Sequence, residues 1–87
     1  MQIFYSPQFL RDFERLDRKT QIRAKEREEI FRQNPFDKIL RTHKLSGNFE
    51  GYWSFWIDYE CRILFRFHKK SAVIFIAIGG HSIYKKF

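Results

Sequence analysis

Apolar positions along the chain follow two different periods, and the change falls near the middle. Ile3 to Tyr5 predicts a short strand. Ser6 followed by Pro7 predicts a helix start, with serine as N-cap and proline at the first helical position, where a missing N–H breaks no helical hydrogen bond. Phe9, Leu10, Phe13 and Leu16 then recur at helical spacing and make one apolar stripe. The polar stretch over 17–20 turns the chain, and a second helix is expected from about Lys19 to Gln33. Its apolar side is thin (Ile22, Ala24, Ile30, Phe31). Arg23 with Arg27 and Glu28 with Arg32 stand at i,i+4 spacing, so it reads as a surface helix with a charged outer face. Asn34-Pro35 ends it.

After a loop over 35–51 the period drops to two. Tyr52 to Asp58 alternates, Cys61 to His68 alternates again, and Val73 to Ile78 is a continuous apolar run. Three strands with short connections predict an antiparallel meander. In the middle strand Arg62, Leu64 and Arg66 share one face, and Cys61, Ile63, Phe65 and Phe67 share the other. The all-apolar face is expected to pack on the helices, which leaves Arg62 and Arg66 on an open face. Val73 to Ile78 suits a central strand, and Gly79-Gly80 releases the chain into a short tail, His81 to Phe87. The expected architecture is α+β: a small antiparallel sheet with two N-terminal helices packed on one face, in one domain over 1–87.

Size and composition narrow this further. At 10.8 kDa, surface scaling predicts roughly 5,500 Å² for the folded chain against about 15,700 Å² for the open one, enough for one modest core. Aromatic residues make up 20% of the chain, which excludes a disordered tail. The longest apolar run, Ala72 to Ile78, is far short of the roughly 20 residues a bilayer requires, so no membrane role is expected. The first residues have neither a basic region nor an apolar core of a signal peptide. A single cysteine, Cys61, fits a reducing cytoplasm. The net charge of +7 points to a polyanion or to a basic surface that aids solubility. Residues 45–87 hold eleven of the seventeen aromatics together with six basic side chains, and basic groups interleaved with rings suit phosphates and stacked bases.

The chemistry-bearing residues are few. Three histidines and one cysteine have no metal-ligand spacing, so neither metal nor cofactor is expected. Cys61 falls on the apolar face of its strand and reads as core. Arg62 has two open readings, an exposed partner for Asp58 or Glu60, or a group that binds an anion. His43 precedes the sheet segment and His81 follows it. Cleavage of RNA by its own 2′-hydroxyl requires a base for the 2′ proton, a cation for the phosphate and an acid for the leaving 5′ oxygen. Imidazole serves as either base or acid, and a guanidinium holds phosphate bidentately. His68, beside Lys69-Lys70 at a hairpin turn, has no such role.

Lys44-Leu45-Ser46-Gly47, Gly51-Tyr52, Tyr59-Glu60-Cys61-Arg62-Ile63-Leu64-Phe65 and Ile78-Gly79-Gly80-His81-Ser82-Ile83-Tyr84 together resemble the RelE/ParE toxin superfamily of type II toxin–antitoxin modules. The helix pair ending in Asn34-Pro35 extends the resemblance over essentially the whole chain. It implies a small antiparallel sheet backed by two helices. In RelE-like and YafQ-like members it implies metal-independent cleavage of mRNA on the ribosome, and in ParE-like members inhibition of DNA gyrase without nuclease activity. His43 matches the histidine that YafQ-like toxins place before Leu-x-Gly, His81 matches the one in their C-terminal Gly-Thr-His, and Arg62 matches the strand arginine of RelE-like members. A further YafQ-like histidine falls on Trp56, a catalytic aspartate on Glu60, and a C-terminal aromatic on Lys85.

The resemblance therefore implies a toxin that is an mRNA endonuclease, with Arg62 clamping phosphate, His81 as acid, His43 as base, Glu60 assisting, and Tyr84 or Phe87 stacking on a base. Lys44, Trp56, Arg66, Lys85, Lys86 and Phe87 are the expected RNA contacts. The implied partners are a cognate antitoxin, the ribosome with its mRNA, and operator DNA only through the antitoxin complex. A gyrase inhibitor and a degenerate member that only binds its antitoxin are the alternative readings.

Overall fold

The hydroxyl of Ser6 accepts the N–H of Phe9 and donates to the carbonyl of Ile76, so one side chain starts a helix and ties it to the sheet. The computed structural model describes residues 1–86, the last by its backbone alone. Strand β1 (Gln2–Tyr5) leads into helix α1 (Pro7–Glu14) and then α2 (Arg18–Gln33), which Asp17 caps by accepting the N–H of Thr20. The loop beyond contains two single 3₁₀ turns (Lys38–Leu40 and Gly47–Phe49) around a two-residue strand β2 (His43–Lys44). Strands β3 (Trp53–Trp56), β4 (Arg62–His68) and β5 (Ala72–Gly79) follow, and a last 3₁₀ segment covers His81–Lys86.

The five strands form one sheet in the order β1-β5-β4-β3-β2. All neighbours are antiparallel except β1, which runs parallel to β5. The expected α+β arrangement is thus present, with an added parallel edge strand and a short edge strand inside what reads as loop. One face carries the main core. Phe31 from α2 lies in a cluster of Phe55, Phe65 and Phe75, with ring centroids 4.7, 5.0 and 5.5 Å away, and Phe9 and Ala24 close over the same side. Offset and edge-on rings interlock more tightly than aliphatic chains of equal area. Leu10 departs from the predicted stripe: it is 53% exposed, while Phe9 is buried. Ile22, likewise expected to face inward, is exposed, whereas Ala24 and Phe31 bury.

The second face is not open. Leu64 of β4, Ala77 of β5 and Ile83 of the C-terminal segment form a smaller buried cluster, with Leu45, Tyr52, Ile76 and Tyr84 packed around it. A register shift produces it. Leu64 pairs with Ala77 but Phe65 with Phe75, which leaves Ile76 as an extra residue in β5. The continuous apolar run of β5 therefore serves both faces. Gly79 lets the tail fold back, because a β-carbon there would lie 2.9 Å from Cγ2 of Ile83.

Candidate active site

Two neighbouring rungs of the sheet build the site on this second face. One rung pairs His43 with Ser54, Ser54 with Leu64 and Leu64 with Ala77; the next pairs Trp56 with Arg62 and Arg62 with Gly79. Residues two apart on a strand point the same way about 7 Å apart, so His43 and Arg62 lie diagonally across β3 on one face. The chain turns at Gly80, and the Ile83 N–H bonds to the Gly80 carbonyl, which brings His81 and Tyr84 back over the glycine end of the second rung. The result is a cleft of about 390 Å³ lined by His43, Leu45, Trp56, Arg62, His81 and Tyr84.

Hydrogen bonds and ring contacts fix several groups of the cleft. Nδ1 of His43 lies 2.9 Å from the carbonyl oxygen of Arg41 and Nε2 lies 3.4 Å from the hydroxyl of Ser54. A carbonyl only accepts, so Nδ1 carries the proton, and in the neutral ring the lone pair of Nε2 meets the Ser54 hydroxyl. Arg62 lies over Trp56, with its guanidinium carbon 4.6 Å from the ring centroid. Asp58, a partner expected for Arg62 on sequence, is engaged otherwise: it accepts the N–H groups of Glu60 and Cys61 and pairs with Arg23 at 3.3 Å. Among the described residues Arg62 has no ion pair. Tyr84 packs edge-on against Phe49 at 5.5 Å and faces His81 at 6.3 Å.

Of the residues read from sequence as candidates, the cleft gathers His43, Trp56, Arg62, His81 and Tyr84. Glu60 stands exposed on the β3–β4 turn, outside the lining. Lys44 faces the other side and covers Trp53 at 5.8 Å. Arg66 is exposed on the same face as Arg62 but four residues along the strand, about 13 Å away. Lys85 is exposed beyond the cleft, while the side chain of Lys86 and all of Phe87 lie outside the described residues. Cys61 is buried core, as read, and burial together with the Asp58 carboxylate pushes its thiol up to about 12. No group of three or more His, Cys, Asp or Glu among the described residues is arranged to hold a metal ion. No helix among them is long and apolar enough to cross a membrane.

Two residues escaped sequence reasoning. Ser54 is fully buried in a strand of aromatics, and its polarity at a core position was the available signal. Arg41 takes a left-handed backbone (φ 51°, ψ 40°), which costs an ordinary side chain about 1 kcal/mol. Its guanidinium carbon also lies 4.6 Å from the Trp56 centroid. Nothing in the pattern of residues 35–51 marks that conformation.

Solved toxin structures share this fold. The YoeB/ParE toxin from Agrobacterium tumefaciens is 22% identical, with a TM-score of 0.80 over 93% of this chain and 99% of that one. YafQ from E. coli is 19% identical, with a TM-score of 0.78 over 94% of each chain. A YoeB–YefM complex from Staphylococcus aureus is 22% identical, with a TM-score of 0.75 over 93% of this chain and 97% of that one. These likenesses mark the fold as RelE-like. No curated protein matches the chain by sequence. The family described as "Bacterial toxin of type II toxin-antitoxin system, YafQ" matches residues 1–85, and the chain belongs to that family of type II toxins.

Proposed function

We propose that this toxin is a ribosome-dependent mRNA endonuclease that works by metal-independent acid–base chemistry. The observation that carries the reading is the convergence of His43, Arg62 and His81, from three separated parts of the chain, into one cleft in which Arg62 lacks a carboxylate partner among the described residues. His43 takes the 2′ proton at Nε2, and the freed 2′ oxygen attacks the neighbouring phosphorus. Arg62 neutralises the crowded phosphate, a fixed cation placed where negative charge develops. His81 gives its proton to the 5′ oxygen as the P–O5′ bond breaks, leaving a 2′,3′-cyclic phosphate and a 5′-hydroxyl. Tyr84 offers a fixed ring for a flanking base. Glu60, outside the lining, would assist only through water.

The antitoxin partner is supported by the YoeB–YefM and DinJ–YafQ complexes, whose toxin chains share this fold. On this reading the toxin acts in the cytoplasm and reaches operator DNA only as part of the antitoxin complex. Primer extension on translated message tests the activity. Arg62→Ala and His81→Ala are expected to abolish both growth arrest and codon-linked cuts. Full toxicity in both variants would overturn the assignment. A gyrase inhibitor would instead stall supercoiling in vitro and leave message intact.

A further inference from the structure

The charge on the rim of the cleft is paired in an unusual way. The guanidinium carbons of Arg41 and Arg62 each lie 4.6 Å from the centroid of the same indole, Trp56. The two cations therefore cannot be further apart than twice that distance. Among the described residues neither has an ion pair, so two like charges are concentrated with no carboxylate between them. Stacking on the ring face favours each guanidinium but does nothing to relieve their mutual repulsion. Anions bound at each of them do.

Arg41 also stands where its backbone alone would favour another residue. It closes the first 3₁₀ turn in the left-handed region, a position suited to glycine or asparagine. Its carbonyl accepts Nδ1–H of His43, so the strained residue orients that histidine through its backbone. Its side chain then extends to Trp56 and stays outside the lining of the cleft. The arginine fork thus lies beside the place where Arg62 would hold a phosphate, not within it.

We propose that Arg41 is a second phosphate-binding group, and that Trp56 spaces Arg41 and Arg62 to grip two neighbouring phosphates of one RNA strand. The inference rests on the nuclease reading and extends it: Arg62 takes the phosphate that reacts, and Arg41 takes an adjacent one, which sets the position of the strand. Planar guanidinium groups match phosphate oxygens two at a time, and an exposed single strand presents phosphates at regular intervals. Trp56, already engaged by both arginines, is then a spacer and not a free platform for a base.

The test uses the whole chain and a fluorescent ten-nucleotide RNA carrying 2′-O-methyl groups, which cannot be cleaved, with anisotropy read across a salt series. Arg41→Gln and Arg62→Gln are each expected to weaken binding several-fold and to flatten the salt dependence by about 0.7 in log–log slope, the value for one phosphate of a single strand. Arg41→Gly is expected to lose the same affinity while its thermal midpoint holds or rises, which a merely structural arginine would not give. Should Arg41→Gln and Arg41→Gly bind like the parent while Arg62→Gln is weakened, Arg41 has no phosphate and the nuclease reading stands. An effect of Arg41→Gln on antitoxin affinity alone would overturn the proposal in the same way. Failure of the parent to bind RNA better than a variant carrying both Arg41→Gln and Arg62→Gln, together with intact message in translation, would remove the nuclease reading and this inference with it.

Discussion

Ser54 stands directly opposite His43 across the β2–β3 pair, and its hydroxyl lies 3.4 Å from Nε2 of the ring. The contact is long enough for a substrate hydroxyl to displace it, whereas the bond from Nδ1 to the Arg41 carbonyl is 2.9 Å and holds the ring. Ser54→Ala is therefore expected to keep cleavage within several-fold of the parent, while His43→Ala lowers it by about 10²–10⁴, the usual span for a general base. Single-turnover cleavage of translated message measures both. Equal losses in the two variants would make Ser54 part of the proton path.

Gly79 and Ile83 hold the C-terminal segment to the sheet. A methyl group at residue 79 would meet Ile83 at 2.9 Å on a backbone of φ 154°. Gly79→Ala is expected to destabilise the fold by about 1–3 kcal/mol. Ile83→Ala, which empties space over Leu64 and Ala77, is expected to cost about 2–4 kcal/mol. Both should release His81 and Tyr84, so activity falls at temperatures where the rest of the fold persists. Denaturant melts paired with cleavage assays read the two effects separately.

Alkaline pH should weaken the fold through two groups. Burial, then the Asp58 carboxylate, raises the Cys61 thiol from 9.0 to about 12. Burial, then the hydrogen bond that Tyr5 donates to Glu28, raises the Tyr5 phenol from 10.0 to about 12. The unfolded chain loses these protons first. Their stabilising effect is thus complete below about pH 9 and declines as pH climbs toward 12. Guanidinium midpoints at pH 7 and 9 should lie close together and the midpoint at pH 10.5 clearly lower, with a smaller drop in Cys61→Ala. An unchanged drop in that variant would show that the thiol plays no part.

Asp58 closes the β3–β4 turn from which Arg62 departs. One of its oxygens accepts the N–H groups of Glu60 and Cys61, at 2.8 and 2.9 Å, and the other meets Arg23. Asp58→Ala is expected to cost about 1–3 kcal/mol, because two backbone donors lose a charged acceptor. Arg23→Ala, which breaks only a solvent-exposed pair, is expected to cost under about 1 kcal/mol. Comparable losses in the two variants would contradict this division of roles.

Local signals in the chain determined the helices and the three-strand meander. Ser6-Pro7 and Asn34-Pro35 are punctuation that needs no distant partner, and the alternation from Tyr52 to His68 follows from the two-residue period of a strand. Arg62 was legible as a site residue for the same reason, since a cation facing away from an apolar row has to meet something else. The sequence also carried the resemblance that singled out His43 and His81. Tertiary structure alone decided the rest. The parallel pairing of β1 with β5 joins segments about seventy residues apart, and neither pattern names its partner. The extra residue at Ile76 is invisible within a run that is apolar throughout, yet it turns Ala77 toward Leu64 and makes a floor for Ile83. That floor converts an expected open face into a cleft. Arg41 follows the buried Leu40 in a left-handed turn and its guanidinium lies over Trp56, so its place beside Arg62 is a property of three-dimensional geometry and not of spacing along the chain.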